Sequence, residues 1–281
     1  MVAKSGGETT NSKDRSWLGP FSRYVAIGDS TTEGLDDPDG AGGFRGWANR
    51  FAELIAAQQD RTNGPQLLYA NLAVRGLKTR GILESQLERA LAMRPDVSTV
   101  VSGTNDVLRP KFDINAYQRD VERMQRALIE QGATVLTFTL PDLSSVNPTA
   151  RIARARVARM NEALRDVAQS TGAIVVDLAR VNIANDMRLW SADRLHANSL
   201  GHARIAAALA HAVQLPGSDA SWATPLSDEP LRSAALRWAT HLRWTGDYLV
   251  PWLGRRLQGR SSSDGVTCKR PELSPVTTVV E

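Results

Sequence analysis

The sequence predicts an α/β protein built on a parallel sheet with helices on both faces, and three observations carry that prediction. Short β-rich apolar runs alternate along the chain with longer stretches of helical period. The 281 residues, 42% hydrophobic and 23% charged, are enough to bury a sizeable core. The residues best suited to chemistry fall just after the apolar runs, at the carboxyl ends where parallel sheets gather functional groups.

Residues 1–19 are polar and rich in Ser, Gly and Thr, which predicts a disordered arm. The run 24–27 stops at Gly28 and is the first strand; runs at 67–73, 97–101, 134–140 and 174–176 supply four more. Helical period marks 44–58, 79–93, 114–131, 150–170 and 199–213. In the fourth helix Ala153, Val157, Met160, Leu164 and Val167 form the apolar stripe, and Arg151, Arg154 and Arg165 fall opposite it on what reads as a solvated face. The glycine cluster Gly40, Gly42, Gly43 and Gly46 reads as a flexible loop.

A length of 281 suggests two domains at about 150 residues each, yet the alternation closes into one domain over 20–215. Residues 216–260 read as a helical extension rich in Trp and Arg, where Leu231, Ala235, Trp238 and Leu242 recur at helical spacing. Residues 261–281 read as a disordered tail. The extension and tail carry eight basic and seven acidic residues, little attraction for an anionic membrane, so docking on the domain or on a second subunit is preferred to peripheral membrane contact.

Composition excludes several classes. A net charge of +4 from 34 basic and 30 acidic residues leaves no nucleic-acid footprint. Cys268 is the single cysteine, so an intrachain disulfide and a thiolate metal cluster are excluded and a reducing compartment fits. The first twenty residues lack a secretory apolar run and nothing approaches the roughly 18 apolar residues of a membrane span, so a cytoplasmic location is expected.

Four segments follow predicted strands. Gly28-Asp29-Ser30 exposes a hydroxyl, and the free backbone N–H of Ser30 can help hold an oxyanion. Asn71 to Gly76 ends on a glycine whose N–H can approach a ligand closely. Gly103-Thr104-Asn105-Asp106 offers a neutral carboxamide donor. Asp193-Arg194-Leu195-His196 pairs a carboxylate with an imidazole across a turn, the arrangement that fixes a histidine tautomer for general base work.

Taken together and in this order, the four segments resemble the SGNH hydrolases, the GDSL esterases and lipases, over roughly residues 23–213. The resemblance implies a three-layer α/β/α sandwich with a five-stranded parallel sheet, flavodoxin-like in plan. It implies a serine esterase or lipase acting on a small-molecule acyl ester, with Ser30 as nucleophile, His196 as base, Asp193 orienting it, and Ser30, Gly76 and Asn105 forming the oxyanion hole. Loss of one such donor costs about 3 kcal/mol of transition-state stabilisation. No cofactor or metal is implied. Thr31 departs from the family's Leu and bears on substrate preference; Arg75, where a small residue is common, points to a more cationic pocket mouth.

The same residues serve acyl transfer or thioester cleavage equally well, and a ligand-binding module on this scaffold is the non-enzymatic rival. The Gly-x-Ser-x-Gly elbow, the P-loop and the dinucleotide fingerprint are absent from the sequence. His202 reads as a structural residue at a helix start, and His211 and His241 as helix residues. Trp190 either walls the acyl pocket or fills the core. Loops 35–42, 109–113 and 182–192 are expected to set the substrate.

Overall fold

The structure, a computed structural model, describes residues 16–109, 111–227 and 265–277. Its strands are β1 (Arg23–Gly28), β2 (Leu68–Asn71), β3 (Val97–Val101), β4 (Thr134–Phe138), β5 (Ile174–Val176) and β6 (Arg270–Pro275). The helices are α1 (Ser30–Glu33), α2 (Gly46–Arg61), α3 (Thr79–Ala92), α4 (Thr104–Val107), α5 (Ile114–Glu130), α6 (Arg154–Thr171) and α7 (Ser199–Ala212).

Among the described residues the strands pair in the order β5-β4-β3-β1-β2-β6, with β1 to β5 parallel. Every residue of β1 after Arg23 is buried, and its alternation serves two cores at once. Tyr24 and Ala26 join Trp47, Phe51 and Ile55 of α2 and Leu209 of α7. Val25 and Ile27 join Ile82 of α3, Met124 of α5 and Met160 of α6 on the opposite face. Tyr24 also stacks on Tyr69 of β2 at 4.9 Å and bonds Thr99 of β3 at 2.9 Å, tying three strands together.

From β1 the chain pairs β2 on one side and β3 on the other, which opens a crevice beyond the carboxyl ends of β1 and β3. Gln86, buried on α3, clamps the end of β1: its amide donates to Gly28 O at 2.9 Å and its oxygen accepts from Gly28 N at 2.8 Å. The strand therefore delivers residue 30 to the crevice on a braced backbone.

Several sequence expectations change. The sheet has a sixth strand, β6, from the tail expected to be disordered, and it runs antiparallel to β2. Its sequence, Arg-Pro-Glu-Leu-Ser-Pro, lacks strand alternation; what holds it is the otherwise open edge of β2. Arg270 covers the Tyr69 ring at 5.1 Å, and Lys269 Nζ donates to the carbonyls of Phe44 and Arg45, each at 2.8 Å. The arm is partly docked as well, since Trp17 meets Phe21 edge-on and Leu18 N donates to Val213 O.

The helix expected from 150 starts at Arg154 after a 3-10 turn at Pro148–Ile152. Arg165 is not simply solvated: Asp177 beyond β5 pairs with it at 2.8 Å. Gly46, expected in a flexible loop, opens α2 and packs its Cα against Gly34. Of the extension, Trp222 lies in a 3-10 turn against the core, while Trp238, Trp244, Trp252 and His241 lie outside the described residues. No helix among the described residues is long and apolar enough to cross a membrane.

Candidate active site

Ser30 is the first residue of α1, directly after β1. Asp29 caps that helix, accepting from Thr31 N at 3.0 Å, which leaves the Ser30 N–H at the helix start with no acceptor among the described residues. The Ser30 hydroxyl lies 2.9 Å from His196 Nε2, and His196 Nδ1 lies 2.6 Å from Asp193 Oδ2. A carboxylate only accepts, so Nδ1 carries the ring proton and Nε2 accepts from Ser30 Oγ–H.

The turn holding Asp193 is locally determined. Its Oδ1 accepts from Leu195 N at 2.9 Å, His196 N at 3.0 Å and the Ser191 hydroxyl at 2.6 Å, and Arg194 takes a left-handed conformation with φ 57°. Burial alone would raise the Asp193 pKa; the bond to His196, its positive charge, its backbone N–H and Ser191 outweigh burial and hold it below the usual carboxylate range. Burial pushes the His196 pKa down, and Asp193, then Asp36 and Asp29, carry it above the ordinary imidazole value.

The other expected donors, Gly76 and Asn105, follow β2 and β3, the two strands paired with β1. Gly76 has φ 80°, a left-handed conformation that suits glycine. Arg75 beside it does not make a cationic mouth, contrary to the sequence expectation. Its backbone N–H donates to Glu33 Oε2 at 2.9 Å, its guanidinium pairs with the same buried carboxylate, and the group lies over the Phe44 ring at 5.4 Å. Glu33 is on α1, so this pair couples the Gly76 turn to the helix that carries Ser30.

Gly103, with φ 111°, caps α4, and a Cβ there would come within 2.4 Å of Met160 Sδ. Asn105 follows on α4; its amide donates to Leu77 O at 3.0 Å and to Asp29 Oδ2 at 3.2 Å. Asp106 faces away and accepts from Thr79 N at 2.9 Å, anchoring the start of α3.

An apolar cavity is lined by Thr31 and His196 together with Val107, Leu140, Val157, Ile183, Leu189 and Trp190. Trp190 therefore walls the pocket, with its indole N–H donated to Ala184 O at 2.9 Å. Of the charged groups at its rim, Arg154 pairs with Asp142 at 2.9 Å, and Arg204 donates to Ser221 O.

The GDSL-like lipase/acylhydrolase family matches residues 26–204, a span that includes Ser30, Gly76, Asn105, Asp193 and His196. The chain belongs to this family. It is accordingly a hydrolase of ester bonds. No curated protein matches the chain. The lipase/acylhydrolase from Enterococcus faecalis is 21% identical, covering 68% of this chain and 94% of that one with a TM-score of 0.55. A catalytic mutant of Axe2, an acetylxylan esterase from Geobacillus stearothermophilus, is 18% identical, covering 76% and 100% with a TM-score of 0.57. An α/β hydrolase from the metagenome of Lake Arreo, Spain, is 20% identical over 68% and 94%, also at 0.57. At these identities the likeness is one of fold.

Asp36 and Asp29 of this acylhydrolase escaped sequence reasoning, whereas His202 keeps the structural role expected of it. Asp36 Oδ2 lies 3.8 Å from His196 Nδ1. His202 is buried, accepting from Trp47 N at 3.1 Å and donating to Leu35 O at 3.0 Å; burial pushes its pKa down to about 4, so it is neutral and structural, as its helix-start position suggested. Asp29 is fully buried, and that burial raises its pKa to about 6 against the opposing Thr31 N–H and His196. Their partners are distant in sequence or specified by no local pattern.

Asp29 makes a pH-dependent contribution with a definite sign. Because its folded pKa is about 6 and its unfolded value about 3.9, its contribution is full below about pH 4 and is lost as pH rises through 6. The shift corresponds to about 2–3 kcal/mol. Unfolding in urea at pH 5 and pH 8 is expected to show wild type losing about 1–1.5 kcal/mol relative to Asp29→Asn, the part of that contribution still present at pH 5; parallel pH curves for the two proteins would exclude it.

Proposed function

We propose that the protein is a serine esterase that cleaves esters of apolar acyl chains through an acyl-enzyme. The observation that carries this reading is the continuous relay from Ser30 Oγ through His196 to Asp193, at 2.9 and 2.6 Å, beside the apolar cavity. His196 takes the Ser30 proton as the hydroxyl oxygen attacks the acyl carbonyl, and Asp193 holds the imidazolium that forms. The Ser30 and Gly76 N–H groups and the Asn105 carboxamide receive the negative oxygen. Asn105 releases its longer bond, the 3.2 Å one to Asp29, to do so. His196 then protonates the departing alcohol, and water repeats the cycle on the acyl-enzyme.

The cavity supports an acyl chain longer than acetyl, because each buried methylene contributes about 0.8 kcal/mol. The lone Cys268 supports a reducing, cytoplasmic setting. A fluorophosphonate probe is expected to label Ser30, and p-nitrophenyl hexanoate to exceed the acetate ester at least about tenfold in kcat/KM. An unlabelled protein would end the esterase reading; a preference for acetate would end the acyl-chain assignment.

A further inference from the structure

We infer that Asp36 is a second carboxylate of the site, a positioning residue that acts on the reaction through His196; this rests on the serine esterase reading above. Its Oδ2 lies 3.8 Å from the same Nδ1 that Asp193 engages at 2.6 Å. The single Nδ1 proton goes to Asp193. Asp36 therefore works as a charge along the same ring edge, and it has no other cationic or donor partner among the described residues.

Three features hold it there. His202 donates to the carbonyl of Leu35 on one side at 3.0 Å. On the other side, Asp37 accepts from Gly46 N at 3.0 Å and from the Arg50 guanidinium at 2.7 and 2.9 Å. Between these anchors Asp36 adopts φ 66°, a left-handed conformation in which a glycine would be the relaxed choice. The buried, neutral His202, which takes no part in the chemistry, thus acquires a purpose: it braces the loop that brings a carboxylate to the imidazole edge.

The chemical consequence follows from charge. As Ser30 gives up its proton His196 becomes a cation, and a carboxylate a few ångströms away favours that cation over the neutral ring. The groups facing His196 are Asp193 on its own turn, Asp36 on the loop after α1, Asp29 at the end of β1, and His202 on α7, which is neutral in the working range. Asp36 is the most exposed of the acids that meet the ring, with 41% of its side chain open against 27% for Asp193, so its influence is sensitive to salt.

The test is the pH dependence of kcat/KM for p-nitrophenyl hexanoate. Neutral His196 is the active base, so removing a nearby negative charge lowers its pKa and moves the acid limb to lower pH. For Asp36→Asn at low ionic strength the expected shift is about half a pH unit, shrinking in high salt, with a severalfold loss on the plateau. In an Asp193→Asn background, where Asp36 is the nearest carboxylate left to Nδ1, the same change is expected to cost more than it does alone. Asp36→Gly suits the left-handed backbone and gives the same reading if the asparagine variant folds poorly. An acid limb that stays in place at low salt, in a variant whose Ser30 still takes the fluorophosphonate, overturns the role of Asp36. Wild type that fails to take the probe overturns the esterase reading instead.

Discussion

Ser30→Ala is expected to lower kcat/KM for p-nitrophenyl hexanoate by about 10⁴-fold or more, to the level left by binding and oxyanion donors alone. The Oγ atom is the nucleophile in the proposed cycle, and no other hydroxyl stands at hydrogen-bond distance from His196 Nε2 among the described residues. The fold should survive, because the change removes one oxygen from a side chain whose single recorded bond is to His196. Stability should move by no more than about 1 kcal/mol. Steady-state hydrolysis together with thermal unfolding checks both parts; a purified, folded Ser30→Ala protein with undiminished turnover would remove Ser30 from the chemistry.

Asp193→Asn should cost on the order of a thousandfold, by a different route. The asparagine oxygen can still accept from the N–H groups of Leu195 and His196, which Asp193 Oδ1 now receives at 2.9 and 3.0 Å, so the turn is retained. Its amide then faces Nδ1 as a donor. The imidazole must accept there and carry its proton on Nε2, where it donates to Ser30 instead of taking a proton from it. The loss should fall on kcat with little change in KM, since the acyl cavity is untouched. Full activity would show that His196 needs no carboxylate at Nδ1.

The turns carrying these residues were legible because their chemistry is local. Asp193 and His196 are three residues apart and bonded within one turn, so their pairing could be read from the string. Strands β1, β3 and β5 match the apolar runs, since buried parallel strands read as continuous hydrophobic stretches. Helices α3, α5 and α7 fall within a residue of the expected ranges because burying an amphipathic face imposes its period on the sequence. The start of α6 was misplaced because no side-chain cap marks it.

What stayed hidden has partners far along the chain. The strand β6 pairs with residues about two hundred positions upstream, and its own composition resembles a loop. Arg75 read as a free cation until Glu33, forty-two residues earlier, was found folded against it. Asp36 was legible only as part of the loop 35–42 expected to set the substrate, because its neighbour His196 is 160 positions away.

By itself the sequence determined the layered α/β architecture, the family resemblance and the order of the candidate groups. These depend on periodicity and on turns of a few residues, where the cause and its effect lie within one local segment. Only the tertiary structure decided that Ser30 and His196 meet at 2.9 Å, that the cavity beside them is apolar, and that Asp36 and a tail strand complete the surroundings. Each of those facts is a distance between segments, set by how the two cores pack against the sheet, and no local pattern encodes it.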